Sequence, residues 1–212
     1  MDLSMIWRMG FYQERIIPYL VQRSMRQETL VAYRERVVSG AVGRILEIGI
    51  GSGVNLRYYG NQAKHVIGLD PSAKLLAIAA EADKRAGLSV ELVKGSAEVI
   101  PIEDRTMDTV LTTWTLCSIS DVNRALSEMR RVLKPNGRLL FVEHGLSPDD
   151  KVRRWQNRLN PVWKRVAGGC NLNRAIAQLI EVAGFRLERI DTGYMKGPRP
   201  MTFMYEGYAR PA

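Results

Sequence analysis

The stretch 44-RILEIGIGSGVNLRYYG-60 sets a short apolar run against an acid and then places glycines at 49, 51 and 53. Such a run predicts a buried strand, and glycines directly after it predict a turn where backbone comes close to a bound molecule. A dinucleotide fingerprint, G-x-G-x-x-G, needs its third glycine for close packing of helix on strand. Val54 holds that position here, and the spacing is instead Glu47-x-Gly49-x-Gly51-x-Gly53. The acid before the glycines opposes a pyrophosphate. Like charges ~4 Å apart cost about 1 kcal/mol in water and about 4 kcal/mol at a near-surface effective dielectric. A ligand with a cationic end reverses the sign.

Working outward, 64-KHVIGLD-70 reads as a second strand ending on an acid, and 71-PSAKLLAIAAEADKRAG-87 as a helix with Pro or Ser at its start and Gly87 beyond its end. The runs 89-SVELVKG-95 and 106-TMDTVLTTW-114 read as strands three and four. A helix opened by Asp121 closes before 135-PNG-137, and 138-RLLFVEH-144 reads as strand five. Short apolar strands alternating with helices predict a parallel sheet covered on both faces, an α/β doubly wound, Rossmann-like fold. After a helix at about 173–183, the runs 185-FRLERIDTG-193 and 201-MTFMYEGYA-209 predict a terminal hairpin. Residues 12–38 carry apolar positions among charges, and residues 1–40 read as helical lid segments before a domain spanning 41–212.

Asp70 ends the second strand 23 positions after Glu47, where a carboxylate can accept hydrogen bonds from both hydroxyls of a ribose. S-adenosyl-L-methionine keeps that ribose, carries a sulfonium and an amino group, and has no phosphate. Glycines 49, 51 and 53 allow its methionine part to approach, and 95-GSAEVIPIED-104 places Ser96 and Ala97 near an adenine. Each piece has a plainer reading, with Glu47 a solvated acid, Asp70 a helix cap and the glycines a tight turn. Their joint spacing favours the adenosyl cofactor over a dinucleotide.

The segments LEIGIGSG, GLDPS, GSAEVIPIED, MDTVLTTWTLCSISD and MRRVLKPNGRLLFVEH, covering about residues 40–145, resemble the class I methyltransferases. TLCSI, VLKPNGRLLFVEH, the tryptophan and NP-W segment at 155–163, GGCNLNR and the final EGYA are similar to a narrower group, the alkyl thiol S-methyltransferases of the methyltransferase-like family. The resemblance implies a seven-stranded sheet with an antiparallel last strand, and S-adenosyl-L-homocysteine as product. It implies cofactor roles for Glu47, Gly49, Gly51, Gly53, Asp70, Pro71, Ser96, Ala97 and Thr113, and Asn55 beside the turn joins these candidates. Animal members of the narrower group begin with a long hydrophobic leader, which the amphipathic start of this chain does not match. Many superfamily members have Asp where Ser96 stands.

In such sheets chemistry gathers outside the carboxyl ends of the strands. That selects Thr113, Trp114, Cys117 and Ser118 after strand four, and Glu143 and His144 at the end of strand five. His144, Cys117 and Thr113 are the catalytic candidates, His144 as a base or as an orienting hydrogen-bond partner, and Cys117 otherwise a small buried hydrophobe. Trp114, Ser118, Glu143, Asn171 and Arg174 are the acceptor-side candidates. A thiol, a quinone precursor or a phospholipid headgroup are the acceptors weighed, the thiol preferred. The segment 151-KVRRWQNRLNPVWKRVAGGCNLNR-174, in an acceptor-side insertion at about 145–175, has six basic groups before residue 166 and no acid among them. It reads either as an interfacial helix with aromatic anchors or, by preference, as a cover helix whose tryptophans fill the core, with Asn173 capping the next helix.

The net charge of +9 is uneven: residues 45–150 carry 12 basic and 14 acidic groups, residues 151–212 carry 12 and 4. That asymmetry favours an anionic partner such as a membrane surface, although nucleic acid fits poorly because 112-TTWTLCS-118 lacks the Pro-Pro-aromatic segment of base amino methylation. A non-enzymatic cofactor-binding or peripheral membrane module is the alternative class. No window approaches 18 consecutive apolar residues, so the expected location is cytoplasmic, with peripheral contact to an anionic membrane as the variant. Cys117 and Cys170, the two cysteines, have no metal-ligand spacing in the sequence, and no metal is expected.

Overall fold

The computed structural model describes residues 27–82, 84 and 87–212. Seven strands form one sheet: β1 (Gly43–Ile48), β2 (Ala63–Asp70), β3 (Ser89–Lys94), β4 (Met107–Thr113), β5 (Leu133–His144), β6 (Phe185–Tyr194) and β7 (Phe203–Pro211). Their order is β3-β2-β1-β4-β5-β7-β6. Strands β1 to β5 pair in parallel, and β7 runs antiparallel to both β5 and β6. The expected Rossmann-like sheet with an antiparallel last strand is therefore the fold observed.

Alternation along each strand sends side chains to opposite faces, and both faces are covered. Leu46, Ile48, Val110 and Phe141 face a core closed by α3 (Val122–Val132) and α5 (Ile176–Val182), through Leu126, Met129, Ile176 and Ile180. Ile45, Val66, Leu111, Leu140 and Val142 face the other side, where α1 (Val31–Val38) contributes Val37 and Val38, and α2 (Ala73–Ala80) contributes Leu76. Burial on both faces is why β1 reads as an unbroken apolar run. Of the expected lid, α1 lies within the described residues, and Arg36 on it pairs with Glu206 of β7 at 2.9 Å. The earlier part of that lid lies outside them.

Local chemistry sets the helix starts. The Ser72 hydroxyl accepts from Leu75 N–H to open α2, and Asp121 Oδ1 accepts from Arg124 N–H to open α3. Asp149 does the same for α4 (Asp150–Val166), accepting from Lys151 and Val152. Asn173 is not the cap of α5: Ala175 holds that position without a side-chain bond, and the Asn173 amide donates to Asn157 Oδ1 at 2.9 Å. Strand β5 starts earlier than the sequence suggests, because Leu133 pairs with Met107 before an irregularity shifts the register to Thr109 with Arg138, and residues 135–137 lie inside the strand. The preference for tryptophans filling the core is corrected on α4. Trp155 is 55% exposed, together with Val162 and Val166, and this helix buries only Val152 and Gln156 fully. Trp163 is half-buried. A four-residue helix, α6 (Arg199–Thr202), leads into β7. Among the described residues no helix is long and apolar enough to cross a membrane.

Candidate active site

A cavity of about 490 Å³ opens over the carboxyl ends of β1, β2 and β4. The turn after β1 forms one wall. Gly49 N–H donates to the Leu69 carbonyl at 2.8 Å, and Gly51 N–H donates to Asp70 Oδ2 at 3.0 Å, so the turn is clamped to the end of β2. Gly49 has φ +68° and a β-carbon there would lie 2.5 Å from Thr115 Oγ1. Gly51 differs. At φ +57° its β-carbon would meet nothing nearer than 3.9 Å, because it would project into the cavity. Gly53 does not line the cavity. A β-carbon on it would sit 2.9 Å from Ala82 Cβ and 3.2 Å from Ala79 Cα, so Gly53 supplies the close approach to α2 that a third fingerprint glycine supplies elsewhere.

Asp70 lines the cavity, with Oδ1 accepting from Ser72 N–H at 2.8 Å. Burial raises its pKa above the ordinary value against the pull of the Ser72 and Gly51 backbone donors. Pro71, Ser96, Ala97, Asn55, Thr113, Trp114 and Ser118 also line the cavity. Ser96 is held by Glu98, whose carboxylate contacts its hydroxyl. Trp114 adopts φ +50°, an uncommon backbone for a bulky residue. Its ring meets Tyr33 edge-on at 6.3 Å between centroids.

Glu47 is placed differently from the reading that set it beside a cation. It is 1% exposed and stands behind the cavity wall. Its Oε1 accepts from Asn55 Nδ2 and its Oε2 from the Tyr59 hydroxyl, both at 2.7 Å. Burial raises its pKa to about 7, opposed by those two hydrogen bonds and by Arg34. The group that reaches the cavity at this point is Arg34, which sequence reasoning missed. Its guanidinium donates to Asn55 Oδ1 and lies 4.8 Å from the Trp114 ring centroid. Burial lowers its pKa to about 10, with Glu47 holding it up. Only its place among Tyr33, Val37 and Val38 on an amphipathic helix hinted that it turns inward.

Residues 46–141 match the family model described as a methyltransferase domain. The chain is 34% identical over 145 residues to the thiol S-methyltransferase TMT1B of Rattus norvegicus, covering 66% of this chain and 59% of that protein. Residues 46–141 are thus a methyltransferase domain, and the chain is related to the class I S-adenosylmethionine-dependent methyltransferases. The chain is also 31% identical over 155 residues to the demethylmenaquinone methyltransferase of Thermobifida fusca, covering 70% of the one and 63% of the other. It spans 59–63% of the length of these two relatives. A solved S-adenosylmethionine-dependent methyltransferase of Thermotoga maritima shares the fold with a TM-score of 0.65 at 21% identity, over 94% of this chain and 100% of that one. The methyltransferase domain and its fold imply S-adenosyl-L-methionine as the cofactor. The cavity suits it: Gly51 leaves the space a side chain would take, Asp70 presents an acceptor where a ribose would lie, and Arg34 presents a cation for a carboxylate.

On the acceptor side, several candidates prove to be braces. Glu143 is fully buried, and its Oε1 accepts from Thr112 Oγ1, from Thr115 N–H at 3.0 Å and from Leu116 N–H at 3.2 Å, fixing the loop after β4. Its Oε2 is buried without a hydrogen-bond partner among the described residues. Asn171 and Arg174 do not enter the cavity. The Asn171 amide donates to the Cys117 carbonyl at 2.9 Å, and Arg174 donates to the carbonyls of Leu116 and Ile119. His144 also lies behind the wall, its Nε2 3.1 Å from Cys170 Sγ. Burial alone would lower its pKa, but the Cys170 sulfur and Glu143 outweigh that and leave it raised. Cys117 is buried beside them, 3.4 Å from Ser118 Oγ. Cys117, His144 and Cys170 converge in space, although no spacing in the sequence joins them.

Proposed function

We propose that the chain transfers the methyl group of S-adenosyl-L-methionine to the sulfur of a small, lipophilic thiol. The observation that carries the reading is the join between the two halves of the site. Ser118 and Gly168 line the cofactor cavity, and directly behind them stand the sulfurs of Cys117 and Cys170 with His144. S-adenosyl-L-methionine supplies an activated methyl on a sulfonium. The chain's own residues then have to position more than activate. Gly51 and Asp70 fit the sugar and methionine side, Arg34 fits the carboxylate, and Trp114 with Ser118 bounds the space where an acceptor atom must sit about 3–3.5 Å from the methyl. A free thiol with pKa near ~8.5 is partly ionised at neutrality, so a strong general base is not required. The relatives named thiol S-methyltransferases favour this acceptor over the quinone precursor of the relative from Thermobifida.

A lipophilic acceptor also gives the exposed face of α4 a purpose. Trp155, Val162 and Val166 stand exposed among Lys151, Arg153, Arg154, Arg158, Lys164 and Arg165, a composition suited to an anionic bilayer surface where such an acceptor dissolves.

The test supplies labelled S-adenosyl-L-methionine with an alkyl thiol, a demethylquinone and phosphatidylethanolamine in parallel. Label in the thioether is the expected result. Label on the quinone or the headgroup alone overturns the thiol assignment.

A further inference from the structure

Cys117 Sγ, a ring nitrogen of His144 and Cys170 Sγ all lie within 4.8 Å of one another. They come from three separate segments: the loop after β4, the last residue of β5, and the turn after α4. Backbone bonds hold the three together. The N–H and the side-chain amide of Asn171 both donate to the Cys117 carbonyl at 2.9 Å, so the residue next to one sulfur is fastened to the residue that bears the other. Cys170 N–H donates to the Ala167 carbonyl at 3.1 Å, and His144 is held in β5 opposite Met204 of β7. The Trp163 indole N–H donates to Cys170 Sγ at 3.3 Å.

Two thiols and an imidazole are donors for a soft or borderline cation, zinc above all, and poor ones for magnesium or calcium. A tetrahedral zinc ion at ~2.3 Å from sulfur and ~2.0 Å from nitrogen sets its ligand atoms roughly 3.5–3.8 Å apart, a spacing this cluster reaches with small side-chain adjustments. The indole on Cys170 is an outer donor of the kind that stabilises a bound thiolate. Three protein ligands leave a fourth position open, the pattern of a zinc site that handles a substrate. The cluster adjoins the cavity, because the cavity-lining Ser118 follows Cys117 directly and Gly168 lies two residues before Cys170.

We propose that Cys117, His144 and Cys170 bind one zinc ion whose open position takes the sulfur of the acceptor thiol. The second half of this proposal rests on the thiol reading given above. As the ion binds, the two cysteine thiols release their protons to solvent, and the acceptor thiol releases its own on coordinating. The acceptor sulfur then forms a bond to the methyl carbon while the bond from that carbon to the sulfonium breaks. Its electron pair returns to sulfur, giving S-adenosyl-L-homocysteine. The thioether formed is neutral and a weaker ligand, so it leaves the ion.

The full chain is loaded with zinc or cobalt(II), freed of excess ion by gel filtration, and assayed for metal and for its absorption spectrum. The expected result is ~1 equivalent of ion, and for cobalt a thiolate-to-metal charge-transfer band with intense tetrahedral visible bands. Cys117→Ser and Cys170→Ser should lose the ion, while Cys170→His should keep it with a weaker charge-transfer band. Calorimetry with S-adenosyl-L-homocysteine shows which variants are folded. Adding an alkyl thiol to the cobalt form should shift the visible bands. Far less than one equivalent of metal, or retention unchanged in both serine variants with cofactor binding intact, overturns the ion site. Visible bands that a turned-over thiol leaves unmoved overturn the acceptor half. A band shift with no methyl transferred to the thiol keeps the ion site and sinks the thiol reading.

Discussion

Glu47 is enclosed by Asn55 and Tyr59 and never meets the cavity, yet its carboxyl titrates near neutrality because burial disfavours the charge. The sign follows from linkage. A folded pKa of about 7 against an ordinary 4.5 means that the stabilisation from its neutral form is whole below 4.5 and gone above about 7. Glu47→Gln, which removes that titration, should flatten the fall in stability between those values by at most about 3 kcal/mol, read from denaturant midpoints across pH. An unchanged slope would show that the carboxyl is not neutral in the fold. Arg34 is the charge that lines the cavity. Arg34→Gln should weaken S-adenosyl-L-homocysteine binding about 10- to 100-fold, the range for a lost charged hydrogen bond. Its effect on 5′-methylthioadenosine, which has no carboxylate, should be slight. Equal losses for both ligands would reduce Arg34 to a prop for Asn55. The motif spacing made Glu47 legible as important, but not which way its carboxylate faces, because alternation along β1 assigns a face and not a partner.

At the scale of elements, the turn after β1 shows two glycines with separate reasons to be glycine. Gly49→Ala drives a methyl against Thr115 in a left-handed backbone and should destabilise the fold by about 1–3 kcal/mol. Gly51→Ala meets no atom nearer than the Gly49 carbonyl oxygen at 3.9 Å, so it carries the left-handed strain of about 1–2 kcal/mol without a clash, while lowering cofactor affinity tenfold or more. Thermal melts and calorimetry separate the two, and matching profiles for both variants would refute the distinction. Most strands and the starts of α2 and α3 were legible because alternation and capping are local, as with Ser72 and Asp121. Helix α4 was not. Its apolar and basic residues suit a cover and an interface alike, and only the packing shows Trp155 on the outside and Trp163 turned toward Cys170.

Across the whole molecule, the alternating pattern gave away the doubly wound sheet, and the family resemblance supplied the direction of its last strand. The meeting of Cys117, His144 and Cys170 was hidden because it depends on where the turn after α4 returns to the sheet, which no local spacing records. The order of the strands has a consequence for how the chain is made. β6 is built before β7, yet its place in the sheet is beside β7 alone, with β7 inserted between it and β5. While a ribosome is still adding Phe203–Pro211, β6 has no edge to join, and the edge of β5 that ends at His144 stays open. The acceptor side of the site thus closes only once β7 is made, and until then a growing chain leaves β6 and the open edge of β5 unpaired, a window in which chaperone binding or misassociation would concentrate.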